Sequence, residues 1–261
     1  MIKGLGLITF QKYGISYDSD AQSFFTATGI TDITIKSAIN SLVLSAKSNG
    51  WWSKCYVIYP FVGGSSTTCS YNLKNTAQYQ ILWSGTSTFS STGVKSNGTT
   101  GYGNTGFNPN SILTYKYGHI STYLRNAQSS TEIPVGVRDG SGDFDLTITQ
   151  FGYLSFFPSP DAYTSLSPVT TTGLMMGVDT NGVVDLYRNG SSVSNSNSGN
   201  GGFQFPNASV YVLARNDNGT AASFSNQETA FVTMGIELTS TDANNMYTDI
   251  QNFQTAIGRQ V

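Results

Sequence analysis

Two Asn-Gly pairs, Asn181-Gly182 and Asn189-Gly190, flank a short segment rich in Val and Leu at residues 183–187. Asn and Gly accept the positive φ angles that a two-residue hairpin turn requires. Two such turns in close succession predict a meander of three antiparallel strands. The low-complexity Ser, Asn and Gly run at residues 191–202 is expected to form a mobile loop.

The chain is poor in charge, and this favours strands over helices. Charged residues make up 11% of it, against about 25% in a typical protein. Their place is taken by Ser, Thr, Asn, Gly and Tyr, which favour turns and half-buried strands. Further strands are predicted at residues 56–61, 80–83, 121–124, 132–137, 209–214 and 230–238, and residues 85–110 as long loops around one or two short strands. About ten short strands with frequent turns predict an all-β, antiparallel jelly-roll β-sandwich over residues 51–238.

Helices are predicted at both ends of the chain. Asp18 and Ser19 mark the start of a short helix that ends at Gly29, and Asp32 precedes an apolar pattern typical of a helix over residues 32–48. A last apolar stripe predicts a helix at 241–258. We therefore divide the chain into an N-terminal helical segment, 1–50, and a sandwich, 51–261, closed by that helix. The N-terminal segment either packs on the sandwich or docks to a larger particle.

Several strings resemble a LamG-like (concanavalin A-like) family of tailed-bacteriophage virion proteins. They are DSDAQSF at 18–24, GITD at 29–32, YPFVGG at 59–64, YNLK at 71–74, NGT at 97–99 and FQTAIGRQV at 253–261. The resemblance implies a jelly-roll fold and a place on the virion, as a head- or tail-associated decoration or fibre component. It also implies other phage virion proteins as partners, and phage appendages are commonly symmetric, so a homo-oligomer is expected.

Charge and hydropathy narrow the range of partners. The net charge is −2 and Lys and Arg do not cluster, which argues against nucleic acid. No run approaches the roughly 18 apolar residues of a membrane span, so no membrane partner is expected. A weakly charged surface rich in Tyr and Asn suits neutral glycans or neighbouring subunits. The sequence predicts a non-enzymatic virion protein that contributes to attachment to host-surface glycans. The alternatives are a purely structural subunit without a ligand and a polysaccharide depolymerase.

Aromatic residues are the candidates for carbohydrate binding, because their rings offer large apolar faces at low entropic cost. The candidate residues are Tyr102, Phe107, Tyr115 and Tyr117. A binding surface is expected on the stretch at 85–110 or on the loop at 191–202.

One acidic run has the spacing of a calcium loop. Asp139, Ser141, Asp143 and Asp145 place oxygen ligands at alternate positions, without the distal Glu of an EF-hand. The run predicts either a calcium site or a plain hairpin turn.

The sequence offers few residues that could form a catalytic site. His119, the single histidine, lies in a strand-like context and is interpreted as a hydrogen-bonded strand residue. The acids that could form a hydrolytic pair all lie in or near turns, where Asp is common for conformational reasons. These acids are Asp139, Asp143, Asp145, Asp179 and Asp185. Cys55 and Cys69 are either free buried thiols or one disulfide.

Overall fold

A computed structural model describes residues 16–114, 116–127, 131–148, 154–159, 162–166, 171–197 and 204–261. Within these ranges the chain forms four α-helices and two β-sheets. The helices are α1 Ser19–Thr28, α2 Ile33–Ser48, α3 Pro109–Ile112 and α4 Ser240–Ala256. None of the described helices combines the length and apolar character needed to cross a membrane.

The three longer helices begin where their capping residues are. The Asp18 carboxylate accepts from the Asp20 amide, and the Asp32 carboxylate accepts from the Thr34 and Ile35 amides. Thr239 begins α4 with a reciprocal capping box. Because each cap satisfies amides that the first turn leaves unpaired, local sequence suffices to set these boundaries, and all three predicted helices are confirmed.

An eight-stranded sheet forms one layer, in the order β13-β12-β11-β6-β17-β4-β3, with β1 also paired to β17. Its strands are β1 Cys55–Tyr59, β3 Ser87–Ser90, β4 Gly93–Ser96, β6 Tyr117–Leu124, β11 Gly173–Thr180, β12 Val183–Arg188, β13 Ser191–Asn197 and β17 Thr229–Gly235.

A nine-stranded sheet forms the other layer, in the order β10-β9-β8-β7-β14-β5-β2, with β15 paired to β7 and β16 paired to β15. Its strands are β2 Leu82–Ser84, β5 Tyr102–Asn104, β7 Glu132–Asp139, β8 Gly142–Ile148, β9 Leu154–Ser159, β10 Ala162–Leu166, β14 Tyr211–Val212, β15 Arg215–Asp217 and β16 Thr220–Ala222. Among the described strands, the β15–β7 pair alone is parallel. The predicted antiparallel β-sandwich is confirmed.

The predicted meander is formed by β11, β12 and β13. Asn181 and Asn189 have φ angles of 54° and 48°, as the two tight turns require. The loop predicted from residue 191 is wrong for its first part, because residues 191–197 form β13. The Ser- and Asn-rich composition suggests a loop, but pairing with β12 satisfies the backbone groups of this segment. Residues 198–203 lie outside the described residues.

The stretch at 85–110 is also more regular than predicted. It contains three strands, β3, β4 and β5, followed by the start of α3. β3 and β4 form a hairpin, and β5 is held between β2 and β14. Pairing with strands distant in sequence gives this polar stretch an ordered structure, which local composition could not reveal.

Two apolar clusters make up the core. One lies between the sheets and includes Phe144, Leu146 and Val232. The other joins the eight-stranded sheet to α1, α2 and α4, and includes Phe24 and Ile39. The helices at residues 19–48 therefore pack on the sandwich, one of the two arrangements that the sequence left open.

A buried arginine fixes the segment after α4. Arg259 is 1% exposed and donates to the carbonyl oxygens of Phe61 at 2.8 Å and Ala230 at 2.9 Å. It also donates to the carbonyl oxygen of Pro60 and to the side-chain oxygen of Gln254. Burial lowers the pKa of Arg259 to about 9. The guanidinium thus ties the segment after α4 to the loop after β1 and to β17.

Candidate functional site

The outer face of the nine-stranded sheet carries a row of polar side chains on β8. Phe144 and Leu146 point into the core between the sheets. Because side chains alternate along a strand, Asp143, Asp145 and Thr147 point to the opposite, outer face. The acidic residues predicted from their spacing therefore stand side by side above the sheet.

These side chains line a cleft of about 280 Å³. Its walls are completed by β7, β15 and the segment after β16, and its lining residues are Thr131, Ile133, Arg138, Asp143, Asp145, Thr147, Arg215 and Ser223. Gly136 lies beside Asp145 in the β7–β8 register, and a Cβ atom at position 136 would overlap the Cβ of Asp145. The glycine therefore leaves room for the Asp145 side chain.

Two arginines face the acidic side chains across the cleft. The Arg138 Nε lies 3.2 Å from the Asp143 Oδ1. The Arg215 Nη2 lies 3.0 Å from the Asp217 Oδ2, and its Nη1 lies 3.5 Å from the Asp145 Oδ2. The cleft is therefore rich in charge, yet its charges largely neutralise one another.

Asp145 is the most strongly perturbed group of the cleft. Its side chain is 1% exposed, and Thr147 donates to its Oδ1 at 3.0 Å. Burial, reinforced by the neighbouring Asp143, raises the pKa of Asp145 to about 7, although Arg215 and Thr147 act in the opposite direction. Burial also raises the pKa of Asp143. Desolvation disfavours the charged form of a carboxyl, so the fold favours the protonated form of Asp145 far more than it would at an exposed position.

Two buried polar atoms of the cleft have no hydrogen-bond partner among the described residues. They are the Oδ2 of Asp145 and the Nε of Arg215. Each such atom costs about 1–3 kcal/mol when left unsatisfied. In native proteins a buried unsatisfied group often marks a place where water or a ligand completes the site.

An aromatic pair lies on the same face of the sheet. The rings of Tyr102 and Tyr211 stack at 4.7 Å, with Phe224 6.4 Å from Tyr102. Tyr211 and Asp145 both pair with Gly136, from opposite sides of β7. Two strand spacings therefore separate them, about 10 Å. The half-exposed Tyr102 ring and the polar cleft therefore lie on the same face of the sheet, although neither tyrosine lines the cleft.

The other aromatic candidates lie elsewhere. Phe107 is fully buried, with its ring 6.3 Å from Tyr56 and 5.4 Å from Tyr79. Its prediction as a carbohydrate contact is wrong, because a ring without exposed surface cannot stack on a ligand. Tyr117 begins β6 in the eight-stranded sheet, and Tyr115 lies outside the described residues. Of the four, Tyr102 alone is placed on this face by the described structure.

The acidic run begins as a hairpin turn. The Asp139 Oδ1 accepts from the Ser141 amide at 2.7 Å and the Gly142 amide at 3.1 Å, and its Oδ2 accepts from the Asn207 amide. These contacts support the plain-turn alternative for Asp139 and Ser141. In the described part of the chain, no three His, Cys, Asp or Glu residues come together as metal ligands. The calcium site stays a prediction.

The remaining reactive candidates do not line this cleft. His119 is fully buried, and its Nδ1 and Nε2 contact the Ile236 carbonyl oxygen and the Thr233 hydroxyl. Burial lowers its pKa to about 4. Its interpretation as a hydrogen-bonded strand histidine is confirmed. Cys55 and Cys69 are both buried and free, and Asp179 and Asp185 belong to the eight-stranded sheet.

Sequence reasoning missed Arg138, Thr147, Arg215 and Ser223. One local signal was present: polar residues at 143, 145 and 147 alternate with apolar ones, as in a strand with one solvent-facing side. Arg215 carried no such signal. It reaches the cleft because the chain turns at Leu213, with a φ of 65°, and then pairs β15 with β7.

No protein-family model matches this chain, and no curated protein matches it. Solved structures do resemble it. A Trypanosoma rangeli sialidase mutant displaying trans-sialidase activity superposes with a TM-score of 0.54 at 12% identity, over 84% of this chain and 39% of that one. The receptor binding domain of botulinum neurotoxin C/D mosaic serotype gives 0.53 at 13%, over 76% and 51%.

The botulinum neurotoxin serotype D binding domain gives 0.50 at 13% identity, again over 76% of this chain and 51% of that one. This chain therefore spans between 39% and about half of the chains it resembles. At such low identity the likeness shows the fold, and it confirms the predicted jelly-roll class of β-sandwich.

Proposed function

We propose that this chain is a non-enzymatic carbohydrate-binding module that attaches to host-surface glycans. The observation that carries the proposal is the outer-face cleft, in which Asp145 and Arg215 present buried polar atoms without partners. The half-exposed ring of Tyr102 lies on the same face. Ligand sites commonly combine a few placed polar groups with aromatic surface.

The composition of the face suits a sugar. Sugar hydroxyls both donate and accept hydrogen bonds, and the cleft offers carboxylates, guanidinium groups and the hydroxyls of Thr131, Thr147 and Ser223. The C–H face of a sugar ring packs against aromatic rings such as Tyr102. Two of the similar structures are named as a sialidase and a receptor binding domain. We extend receptor recognition to this chain on the strength of its own cleft.

We place the module on a tailed-phage virion, as a head- or tail-associated component that forms a homo-oligomer with other virion proteins around it. The support is the set of strings at 18–32, 59–64 and 253–261 that resemble phage LamG-like proteins. An antibody against the purified chain should label intact particles in electron micrographs. If neither antibody labelling nor mass spectrometry detects the chain in purified particles, this location is refuted, and the binding proposal is unaffected.

The binding test uses the purified, fluorescently labelled full chain on a panel of immobilised neutral and acidic glycans. We expect saturable binding to at least one glycan class. Tyr102→Ala should weaken it at least tenfold, because the ring that packs on the sugar is lost. Tyr117→Ala is the matched control, since Tyr117 lies on the other sheet, and it should bind normally. The proposal would be contradicted if both variants lost binding affinity equally. It would also be contradicted if the wild-type chain, shown to be folded by circular dichroism, bound no glycan.

A second candidate, polysaccharide hydrolysis, is favoured by one observation: Asp143 and Asp145 share a cleft, and the pKa of Asp145 is raised to about 7. A carboxyl with a raised pKa beside a second carboxyl is the pairing that glycoside hydrolysis uses. Release of reducing ends from a bound polysaccharide, abolished by Asp145→Asn, would establish this activity. Binding without release would leave the non-enzymatic module.

A further inference from the structure

We infer that the outer-face cleft binds a neutral sugar residue through adjacent hydroxyl groups, held between Asp145 and Arg215. This inference rests on the proposed function and names the ligand class of the same site. It follows from the hydrogen-bonding capacity of the cleft and from its charge.

The cleft contains one buried acceptor and one buried donor that have no hydrogen-bond partner. The Asp145 Oδ2 is an acceptor without a donor, and the Arg215 Nε is a donor without an acceptor. Their groups meet at 3.5 Å without forming a hydrogen bond. One sugar hydroxyl can donate to the carboxylate while its neighbour on the ring accepts from the guanidinium. A small displacement of Arg215, whose side chain is 15% exposed, would open both atoms to such a diol.

Charge decides between a neutral and an acidic sugar. Three carboxylates face two guanidinium groups: Arg138 contacts Asp143, while Arg215 contacts Asp145 and Asp217. Asp139 adds a further negative charge that acts on Asp143. An acidic sugar would meet more carboxylates than guanidinium groups. If it paired with Arg215 it would also take that group from the buried carboxylate of Asp145, and removing the partner of a buried charge is strongly destabilising. A neutral diol needs only the 3.5 Å contact between Arg215 and Asp145 to open, and its hydroxyls then take the place of each partner; the Arg138–Asp143 pair stays in place.

The aromatic pair extends the site beyond one sugar ring. Tyr211, which stacks on Tyr102, lies two strands away from Asp145 across Gly136. Tyr102 is on β5, one strand further from Asp145, so three strand spacings, about 14 Å, separate the two residues along the sheet, more than the length of one pyranose ring. A ligand that contacts both places therefore has at least two sugar residues, one bonded in the cleft and one packed against Tyr102.

The test compares matched glycans that differ by one charged residue. Lactose- and mannose-terminated oligosaccharides are immobilised beside the same glycans capped with sialic acid or a uronic acid, with and without a calcium chelator. We expect the full chain to bind at least one neutral glycan and to bind its acidic counterpart at least tenfold more weakly. Binding should be unchanged by the chelator, since the contacts are made directly by side chains.

Binding measurements on two variants test whether the sugar binds beside Asp145. Asp145→Asn should weaken binding to the neutral glycan about tenfold, because a charge-assisted hydrogen bond becomes a neutral one. Asp185→Asn, on the other sheet, is the matched control and should leave binding unchanged. Saturation-transfer NMR on the wild-type chain should place protons of a second sugar residue beside an aromatic ring, and this measurement requires no variant to fold.

The outcomes separate the inference from the proposed function. Binding only to the acid-capped glycans would overturn the neutral-diol inference and leave carbohydrate binding intact. Loss of binding in the chelator would replace direct contact with a cation-mediated one, and equal binding by Asp145→Asn and wild type would remove the sugar from this cleft. No binding to any glycan would refute the proposed function itself.

Discussion

The buried carboxyl of Asp145 should make the stability of the fold depend on pH. The pKa of Asp145 rises from 3.8 to about 7 on folding, mainly through burial. Between these two values the folded chain holds a proton that the unfolded chain releases. The free energy of unfolding contributed by this group therefore decreases as pH rises from about 4 to about 7 and is constant above that. Replacing the carboxyl with an amide removes the charge that burial penalises.

The size of the stability difference between Asp145→Asn and wild type follows from the shift in the pKa of Asp145. About three pKa units at about 1.4 kcal/mol each give an upper bound of about 4 kcal/mol. Because buried charges in proteins are penalised less than the full shift implies once the surroundings relax, we expect Asp145→Asn to be more stable than wild type by about 2–4 kcal/mol at pH 8. Near pH 4 the folded wild type carries the proton and the unfolded chain is also close to half protonated, so most of the penalty is gone and the difference should fall to within about 1 kcal/mol.

The assay is urea unfolding of both proteins at half-unit intervals from pH 4 to pH 8.5. Burial also raises the pKa of Asp179, to about 6, but this group is present in both proteins and cancels in the difference. Asp32→Asn is the matched control, because it changes an exposed N-cap to a residue that caps as well. A difference between Asp145→Asn and wild type that does not change with pH, or a less stable variant at pH 8, would refute the reasoning.

Three further predictions concern the core and can be checked by the same urea titrations. Arg259→Met should lower the free energy of unfolding by about 3–6 kcal/mol, because three carbonyl oxygens lose their donor; Arg259→Lys, which can still donate, should lose less. Phe107→Ala should lose about 3–5 kcal/mol through the cavity it leaves, whereas Tyr117→Ala, half-exposed at the start of β6, should stay within about 1 kcal/mol of wild type; similar losses would contradict the burial of Phe107. His119 has a pKa of about 4 in the fold against 6.5 in the unfolded chain, so its own contribution to the free energy of unfolding should fall by up to about 3 kcal/mol as pH falls from about 6.5 to 4. Asp145 and Asp179 act in the opposite direction in both proteins, so the free energy of unfolding of His119→Gln should rise relative to wild type by that amount over this range, and a constant difference would contradict the burial of His119.

Features set by local sequence were predictable, and features set by distant pairing were not. Asp18, Asp32 and Thr239 cap helices through amides within three residues, so the sequence alone located these helices. The two Asn-Gly turns likewise act over a few residues. β13 has a loop-like composition and becomes a strand only because β12 pairs with it.

The candidate site divides in the same way. The acidic row of Asp143 and Asp145 could be read from its spacing, although its strand setting was read as a turn. Arg215 contacts Asp145 although it lies 70 residues further along the chain, and no local sequence pattern predicts such a contact. For Phe107 the local sequence was misleading. Gly106 and Asn108 suggest an exposed loop, but tertiary packing buries the ring.

The position of β17 has a consequence for how the chain reaches its fold. Val232 of β17 pairs with Tyr59 of β1, 173 residues earlier, and β17 also joins β6 and β4. Similarly, α2 packs against α4, close to the other end of the chain. Contacts of such long sequence separation slow folding, because loop closure costs entropy before those contacts form. During synthesis, the apolar faces of α2 and β1 therefore stay uncovered until α4 and β17 have been made, and in that interval aggregation competes with folding.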